Sequence, residues 1–318
     1  MDNLKRASRI AIVGVGQVGA AAAYALVLGS IADELLLVDT RAAWRDGQVR
    51  DLSDAAYASR SKTRVYSATY REASQCDIVV ITAGSKYLYG QTSMDYLYRN
   101  TSIVRSIINE MKPFRSDTVL LIVANPVDLM TSLAKELSNL PSAQVLGSGT
   151  FLDSIRLRGL LADETGLAPN SLDLYVLGTH GDSAVAAWSC AAVGGVPLKD
   201  ALGLEKRVEE SLVEECKHRS QSIVRAKGAT TFGIGSIVCS ICASVLLDRH
   251  NVRPVSHYQP QHGCCFSLPA VLGRKGIVQT FPVPLSAAEQ EGIAQSVGAL
   301  KSTLNRVLEE EKGNRSTV

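Results

Sequence analysis

The chain of 318 residues is poor in aromatics, which make up 5% of it. It has no excess of either charge: 33 lysines and arginines face 31 aspartates and glutamates, a net of +2. That balance gives no reason to expect nucleic acid or an anionic membrane as partner. No internal repeat and no low-complexity tract is visible. Disulfide-framework spacing is missing as well. The seven cysteines stand at 76, 190, 216, 239, 242, 264 and 265. Cys239 and Cys242 form a C-x-x-C, but inside an apolar run and without a second pair. Buried free thiols in a reducing, cytoplasmic compartment are therefore expected, and no metal site. His262 beside Cys264 and Cys265 reads as a loop histidine. Two long uncharged runs resemble other kinds of segment. Residues 10–32 follow a basic start as a signal peptide would, but glycines at 14, 16 and 19 interrupt them. Residues 228–247 are long enough to span a bilayer, yet hold five hydroxyl residues and three glycines. A buried helix is expected there.

What is present is an ordinary globular mixture, 46% apolar and 20% charged, long enough for two domains or one large α/β unit. Residues 9–13 read as a buried strand that runs into Gly14-Val15-Gly16-Gln17-Val18-Gly19 and an alanine-rich helix. A bare G-x-G-x-x-G is weak evidence; strand–turn–helix context strengthens it. The glycines allow a tight turn, close approach to a pyrophosphate and close helix packing. The helix N-terminus offers free N–H groups to phosphates. A second strand over 34–38 ends in Asp39, placed to accept from ribose hydroxyls and to repel a 2′-phosphate. NAD is expected over NADP, with Arg41 as a nearby complication. Further strands at 63–67, 77–81, 118–123 and 144–149 alternate with helices at 41–59 and 94–111. This alternation predicts a doubly wound parallel sheet.

Two later segments carry chemistry: Leu152-Asp153-Ser154-Ile155-Arg156 and Leu177-Gly178-Thr179-His180-Gly181-Asp182-Ser183. A histidine has the right pKa to exchange a proton near neutrality. A carboxylate can fix its tautomer and stabilise its charge. A guanidinium grips a carboxylate through two parallel hydrogen bonds. Taken alone, His180 could be a turn residue and Asp153 a helix cap. Asp153 and Arg156, three apart, share one helical face.

Together the two segments resemble the catalytic core of the lactate/malate dehydrogenase family, and the resemblance extends from Arg9 to about Lys312. It implies a Rossmann-type domain over 1–147 and a mixed α/β substrate domain over 148–318. It implies an NAD-dependent oxidoreductase, most similar to L-lactate dehydrogenases, acting on a small 2-oxo or 2-hydroxy acid. His180 would exchange the proton, Asp153 would orient it and Arg156 would bind the substrate carboxylate. Ala124-Asn125-Pro126-Val127-Asp128 resembles the segment whose asparagine, here Asn125, lies at substrate and cofactor and precedes a cis proline. Thr82-Ala83-Gly84 resembles the backbone that passes under the cofactor, and Thr230 the threonine facing the substrate. The family is usually dimeric or tetrameric, so a homo-oligomer is expected, with Asp51 to Ala55 similar to an interface segment.

The loop from Ser85 to Thr92 departs from the pattern. Aligned through Gly90, Asp95 and Asn100, Tyr87 takes the position that reads the substrate side chain, and Ser93 takes that of the arginine polarising the carbonyl. Altered substrate preference is expected; a variable surface loop, or a family member with lost or changed chemistry, are the alternatives. Residues 205–227 read as a charged amphipathic helix and 286–312 as a final helix with Ser286 as its cap and Glu289 in the matching place. Strands at 252–257, 266–271 and 278–282 read as an antiparallel sheet of the substrate domain, and 174–177 as the strand delivering His180.

Overall fold

Six strands, most of them apolar, form the centre of the computed structural model, which describes residues 6–85 and 92–315, with side chains to residue 309. They are β1 (Arg9–Val13), β2 (Glu34–Val38), β3 (Arg64–Ser67), β4 (Ile78–Ile81), β5 (Val119–Ile122) and β6 (Val145–Gly147). All pair in parallel, in the spatial order β6-β5-β4-β1-β2-β3. β4 and β5 are buried at every residue. Strands read as continuous Val/Ile/Leu runs because helices cover both faces. Those helices are α1 (Gln17–Leu28), α2 (Ala42–Ala58), the short α3 (Tyr70–Ala73), α4 (Ser93–Met111) and α5 (Val127–Ser138). The expected doubly wound parallel sheet is what the chain forms.

After β6 comes α6 (Phe151–Thr165), then the short strands β7 (Leu172–Asp173), β8 (Val176–Leu177), β9 (Val185–Ala186), β10 (Ala192–Val193) and β11 (Val196–Pro197). The expected strand over 174–177 is shorter, only Val176–Leu177 forming β8, which pairs with β9; β7 just before it pairs with β10 in another small sheet. Next follow α7 (Leu198–Leu202), α8 (Lys206–Lys227) and α9 (Phe232–Leu246). The expected helix over 228–247 is shorter, because Gly228 at φ +85° ends α8 and the axis turns by 119° before α9. Among the described residues, no single helix is long and apolar enough to cross a membrane.

The last strands are β12 (Asn251–Gln259), β13 (Cys264–Gly273) and β14 (Gly276–Thr280), before α10 (Ala287–Arg315). They are antiparallel, as expected, but not a separate sheet. β12 pairs with β6 through Ser256–Gly147 and His257–Leu146, giving one nine-stranded sheet. α10 begins on the expected capping box: Ser286 N–H donates to Glu289, and Glu289 N–H donates to the Ser286 hydroxyl. All seven cysteines are free.

An ionic knot ties the N-terminal ends of the parallel strands to the β13–β14 turn. Asp77 accepts from Arg9 N–H at 2.7 Å, from Arg115 Nη2 at 2.7 Å and from Arg274 Nη2. Burial would raise the Asp77 carboxyl, but these donors outweigh it and hold it below the usual range. Asp77→Ala would take the shared carboxylate from both arginines, leaving Arg115 with Asp117. It should lower stability by about 3 kcal/mol in urea unfolding, with NADH affinity intact, because the glycine loop lies at the opposite ends of the same strands.

Candidate active site

The first functional groups cluster at the C-terminal ends of the parallel strands. Gly14 takes φ +93°, and a Cβ there would lie 2.5 Å from the Ala83 Cα. A Cβ on Gly19 would lie 2.1 Å from the Gly14 carbonyl oxygen. Thr82 donates its hydroxyl to that same oxygen at 2.5 Å. Thr82 and Ala83 thus pin the glycine turn, and Gly84 sits exposed beyond them. Gly16 opens onto free space and is the N-cap of α1, with no side-chain cap and no acidic residue in the first turn. The helix N–H groups beside Gln17 and Val18 are therefore free to meet an anion. Asp39 Oδ2 accepts from Val15 N–H at 3.0 Å, and Oδ1 accepts from Arg41 N–H at 2.9 Å. Arg41 also stacks over Trp44. A cradle of open backbone with a carboxylate at its side fits a dinucleotide with a free ribose diol.

The second cluster is built on α6 and the turn after β8. His180 Nδ1 and Asp153 Oδ2 are 2.6 Å apart. Arg156 Nη1 is 3.4 Å from Asp153 Oδ1 and also donates to the Ser220 hydroxyl. The Asp153 and Arg156 side chains are 11% and 7% exposed, against 27% for His180. The imidazole therefore keeps one open side while its partner is sealed. Asp153 raises the His180 imidazole to about 9, against the lowering effect of burial. Burial would raise Asp153, but the charges of His180 and Arg156 hold it low. Burial lowers the Arg156 guanidinium, with Asp153 opposing it.

The turn bearing His180 is fixed from behind. Gly178 and Gly181 flank it at φ +84° and +120°. Gly178 exchanges both backbone hydrogen bonds with Ser267 of β13, each at 2.9 Å. His180 N–H donates to Asp128 Oδ2 at 2.7 Å. Asp128 is 3% exposed, its Oδ1 has no partner, and burial pushes its carboxyl up. Asp128 was visible only as the last letter of the Asn-Pro-Val-Asp motif. The Asn125–Pro126 bond is cis, as expected. The exposed Asn125 gives its carbonyl to Asn100 Nδ2 at 3.0 Å, and Asn100 Oδ1 accepts from Ser85 N–H at 2.7 Å.

A cavity of about 150 Å³ opens at His180 and Asp153. α8 supplies Val213, Cys216, Lys217, Ser220 and Gln221 to its wall. Arg156 is not part of this wall and meets it through Ser220 and Asp153. Neither Asn125 nor Thr230 lines it. Thr230 lies in the bend between α8 and α9, where Gly228 comes within 3.8 Å of Gln17 Oε1 at its ideal Cβ. Tyr87 lies outside the described residues, with the rest of 86–91. Ser93 is the first residue of α4, exposed, behind a Thr92–Asp95 capping box. Arg158 points away, donating to the Leu174 carbonyl and stacking on Tyr175. Among the described residues, no group of His, Cys, Asp or Glu could hold a metal ion.

Two family models match in succession. The NAD-binding domain of lactate/malate dehydrogenase matches residues 8–147, and the α/β C-terminal domain matches 150–311. The chain belongs to the lactate/malate dehydrogenase family. It is an NAD-dependent oxidoreductase of the CH–OH class, with NAD as cofactor. It is 44% identical to the L-lactate dehydrogenase A of Rhizopus oryzae over 93% of this chain and 92% of that one. It is 38% identical to an L-lactate dehydrogenase of Deinococcus radiodurans, over 92% and 97%. A solved structure, the minor L-lactate dehydrogenase of Enterococcus mundtii in a ligand-bound form, superposes with a TM-score of 0.91 at 33% identity, covering 95% and 99%.

The His180–Asp153 pair has a consequence for stability. His180 is raised from about 6.5 in an unfolded chain to about 9 in the folded one. A raised imidazole stabilises the fold fully below the lower value, and that contribution is lost as pH rises through the upper one. Unfolding free energy should fall between pH 6.5 and 9, and this slope should flatten in His180→Ala. Equal slopes in both proteins, by urea titration at several pH values, would rule the pairing out.

Proposed function

We propose that this enzyme transfers a hydride between NAD and a 2-oxo/2-hydroxy acid, L-lactate dehydrogenase-like, with altered substrate preference. The observation that carries the reading is the 2.6 Å His180–Asp153 contact at the wall of a cavity. NAD, when bound, supplies or takes the hydride. His180 gives the proton to the carbonyl oxygen in reduction and takes it back in oxidation. Asp153 holds the tautomer and the charge. Arg156 binds the substrate carboxylate, leaving Asp153 and Ser220 as its resting partners. Asn125 and Thr230 contact the substrate, and Tyr87 reads its side chain. Gly14, Gly16, Gln17, Val18 and Gly19 hold the pyrophosphate, Asp39 the ribose, and Thr82, Ala83, Gly84 and Asn125 the nicotinamide end. Residues 1–147 act as the cofactor domain and 148–318 as the substrate domain, a division supported by where the two family models meet. A cytoplasmic homo-oligomer is the form we infer, in keeping with the family.

The altered preference rests on Ser93. A neutral hydroxyl at the head of α4 cannot stabilise negative charge growing on a carbonyl oxygen. Loss of one such contact costs about 10²–10³ in rate. The preferred substrate carries a larger, less charged side chain than pyruvate or oxaloacetate. The second reading, a protein that binds cofactor with little turnover, draws on the same residue.

Asp39→Ser should narrow the preference for NADH over NADPH, read as the ratio of two dissociation constants; tighter NADPH binding by the unmodified protein would overturn it. The decisive experiment is steady-state NADH oxidation over pyruvate, oxaloacetate and bulkier 2-oxo acids. Weak pyruvate and oxaloacetate rates are expected, and Ser93→Arg should raise the pyruvate rate. Ordinary dehydrogenase rates on pyruvate without the substitution would overturn the altered preference. No turnover on any acid would favour the second reading.

A further inference from the structure

The cavity at His180 takes its far wall from one face of α8. Val213, Cys216, Lys217, Ser220 and Gln221 line it at intervals of three and four, the spacing of neighbours on one helical stripe. Four of these are apolar or neutral, and Lys217 sits in the middle. Four other cations of α8 are paired with carboxylates, and the two that are not, Arg225 and Lys227, lie in its last turn and do not line the cavity. Lys206 meets Glu210, Arg207 meets Glu205, His218 meets Glu214 and Arg219 meets Glu215. Among the described residues, Lys217 has no carboxylate within salt-bridge distance, and it is half-buried. An ammonium on a flexible stem, half-withdrawn from water and without a counter-ion, is poised for an anionic or dipolar guest.

The other cation near the cavity is committed. Arg156 is buried against Asp153 and Ser220, where it can serve a carboxylate. The head of α4 carries Ser93 and the carboxylate Asp95, and no cation. The reaction needs a second positive group, because the carbonyl oxygen gains negative charge as the hydride arrives.

We propose that Lys217 is this group: it binds the carbonyl oxygen of the substrate from α8, in place of an arginine at position 93. The inference rests on the reaction proposed above. The C=O double bond becomes C–O as hydride from NADH adds to carbon, and NADH is oxidised to NAD. His180 delivers the proton to oxygen. Lys217 keeps its three protons and acts by charge and hydrogen bond alone. The apolar part of the same wall, Leu157, Val176, Ala184, Ala186 and Val213, favours a 2-oxo acid with an apolar side chain.

The test uses phenylpyruvate and 4-methyl-2-oxopentanoate with the full-length protein and four forms: unmodified, Lys217→Met, Lys217→Arg, and Ser93→Arg/Lys217→Met. Met and Arg are good helix formers, so α8 should persist; NADH binding by fluorescence verifies the fold. Lys217→Met should lower kcat by about 10²-fold, the scale of one lost electrostatic contact, with the NADH dissociation constant unchanged. Lys217→Arg should keep most of the rate. The double variant should recover at least about ten-fold over Lys217→Met, because the charge returns from the other side. A merely structural lysine would not be rescued by an arginine on α4. Equal kcat in Lys217→Met and the unmodified enzyme would overturn the role of Lys217 and leave the reaction standing. No turnover of either acid, or of pyruvate, by the unmodified enzyme would overturn both.

Discussion

A sealed carboxylate next to a half-open imidazole constrains much of the rest of this molecule. Asp153 is taken out of water by α6 and α8, and an ionised carboxylate in that position is costly unless it is paired. It is paired twice, with His180 on one oxygen and Arg156 on the other. Both partners must then be held to a fraction of an ångström. Arg156 is held because it stands three residues on along the same helix and leans on Ser220. His180 has no such local tie. It is positioned by two left-handed glycines, a backbone bridge to Ser267 and the buried Asp128. Elements from four parts of the chain thus converge to keep one proton where it is useful.

Much of the nucleotide half could be read directly. Its inner strands are short and largely apolar, and the turn from Gly14 to Gly19 has one plausible use in that context. The pairing of His180 with Asp153 was not readable from spacing, since 27 residues separate them. It was read from resemblance, and the 2.6 Å contact agrees with it. Asp128 was missed because its work is done on a backbone N–H, which no side-chain pattern records. Lys217 was missed because α8 looked like a solvated charged helix. Its signal was a cation at i+4 from Val213 and i−3 from Ser220, on the one stripe that is otherwise uncharged. The sheet was misjudged for a related reason. An apolar strand announces that it is buried but not which edge it joins.

The departures from the family pattern read in the sequence, at Tyr87 and Ser93, fall where the substrate's side chain and oxygen are proposed to lie. The glycine turn with Asp39, and the His180–Asp153–Arg156 cluster, are the residues proposed for cofactor binding and for proton transfer. Beside His180, the Thr179 hydroxyl meets that of Ser183 at 2.9 Å, a neutral contact within the same turn. Such a distribution separates recognition of the cofactor from polarisation of the guest, two demands that rest on different helices.

The join between β6 and β12 bears on how the chain acquires its structure. β6 ends at Gly147 and β12 begins at Asn251, so the edge of the parallel sheet waits for a partner from far along the chain. During synthesis that edge exists before the strand that covers it, and an uncovered edge is a template for pairing with other chains. Contacts of such long range also close slowly, because the intervening loop must be ordered first. The nucleotide half is made first but cannot be finished first. Its exposed edge and the uncovered flank of α1, which α9 later packs against, make the partly synthesised chain the state most in need of protection from aggregation.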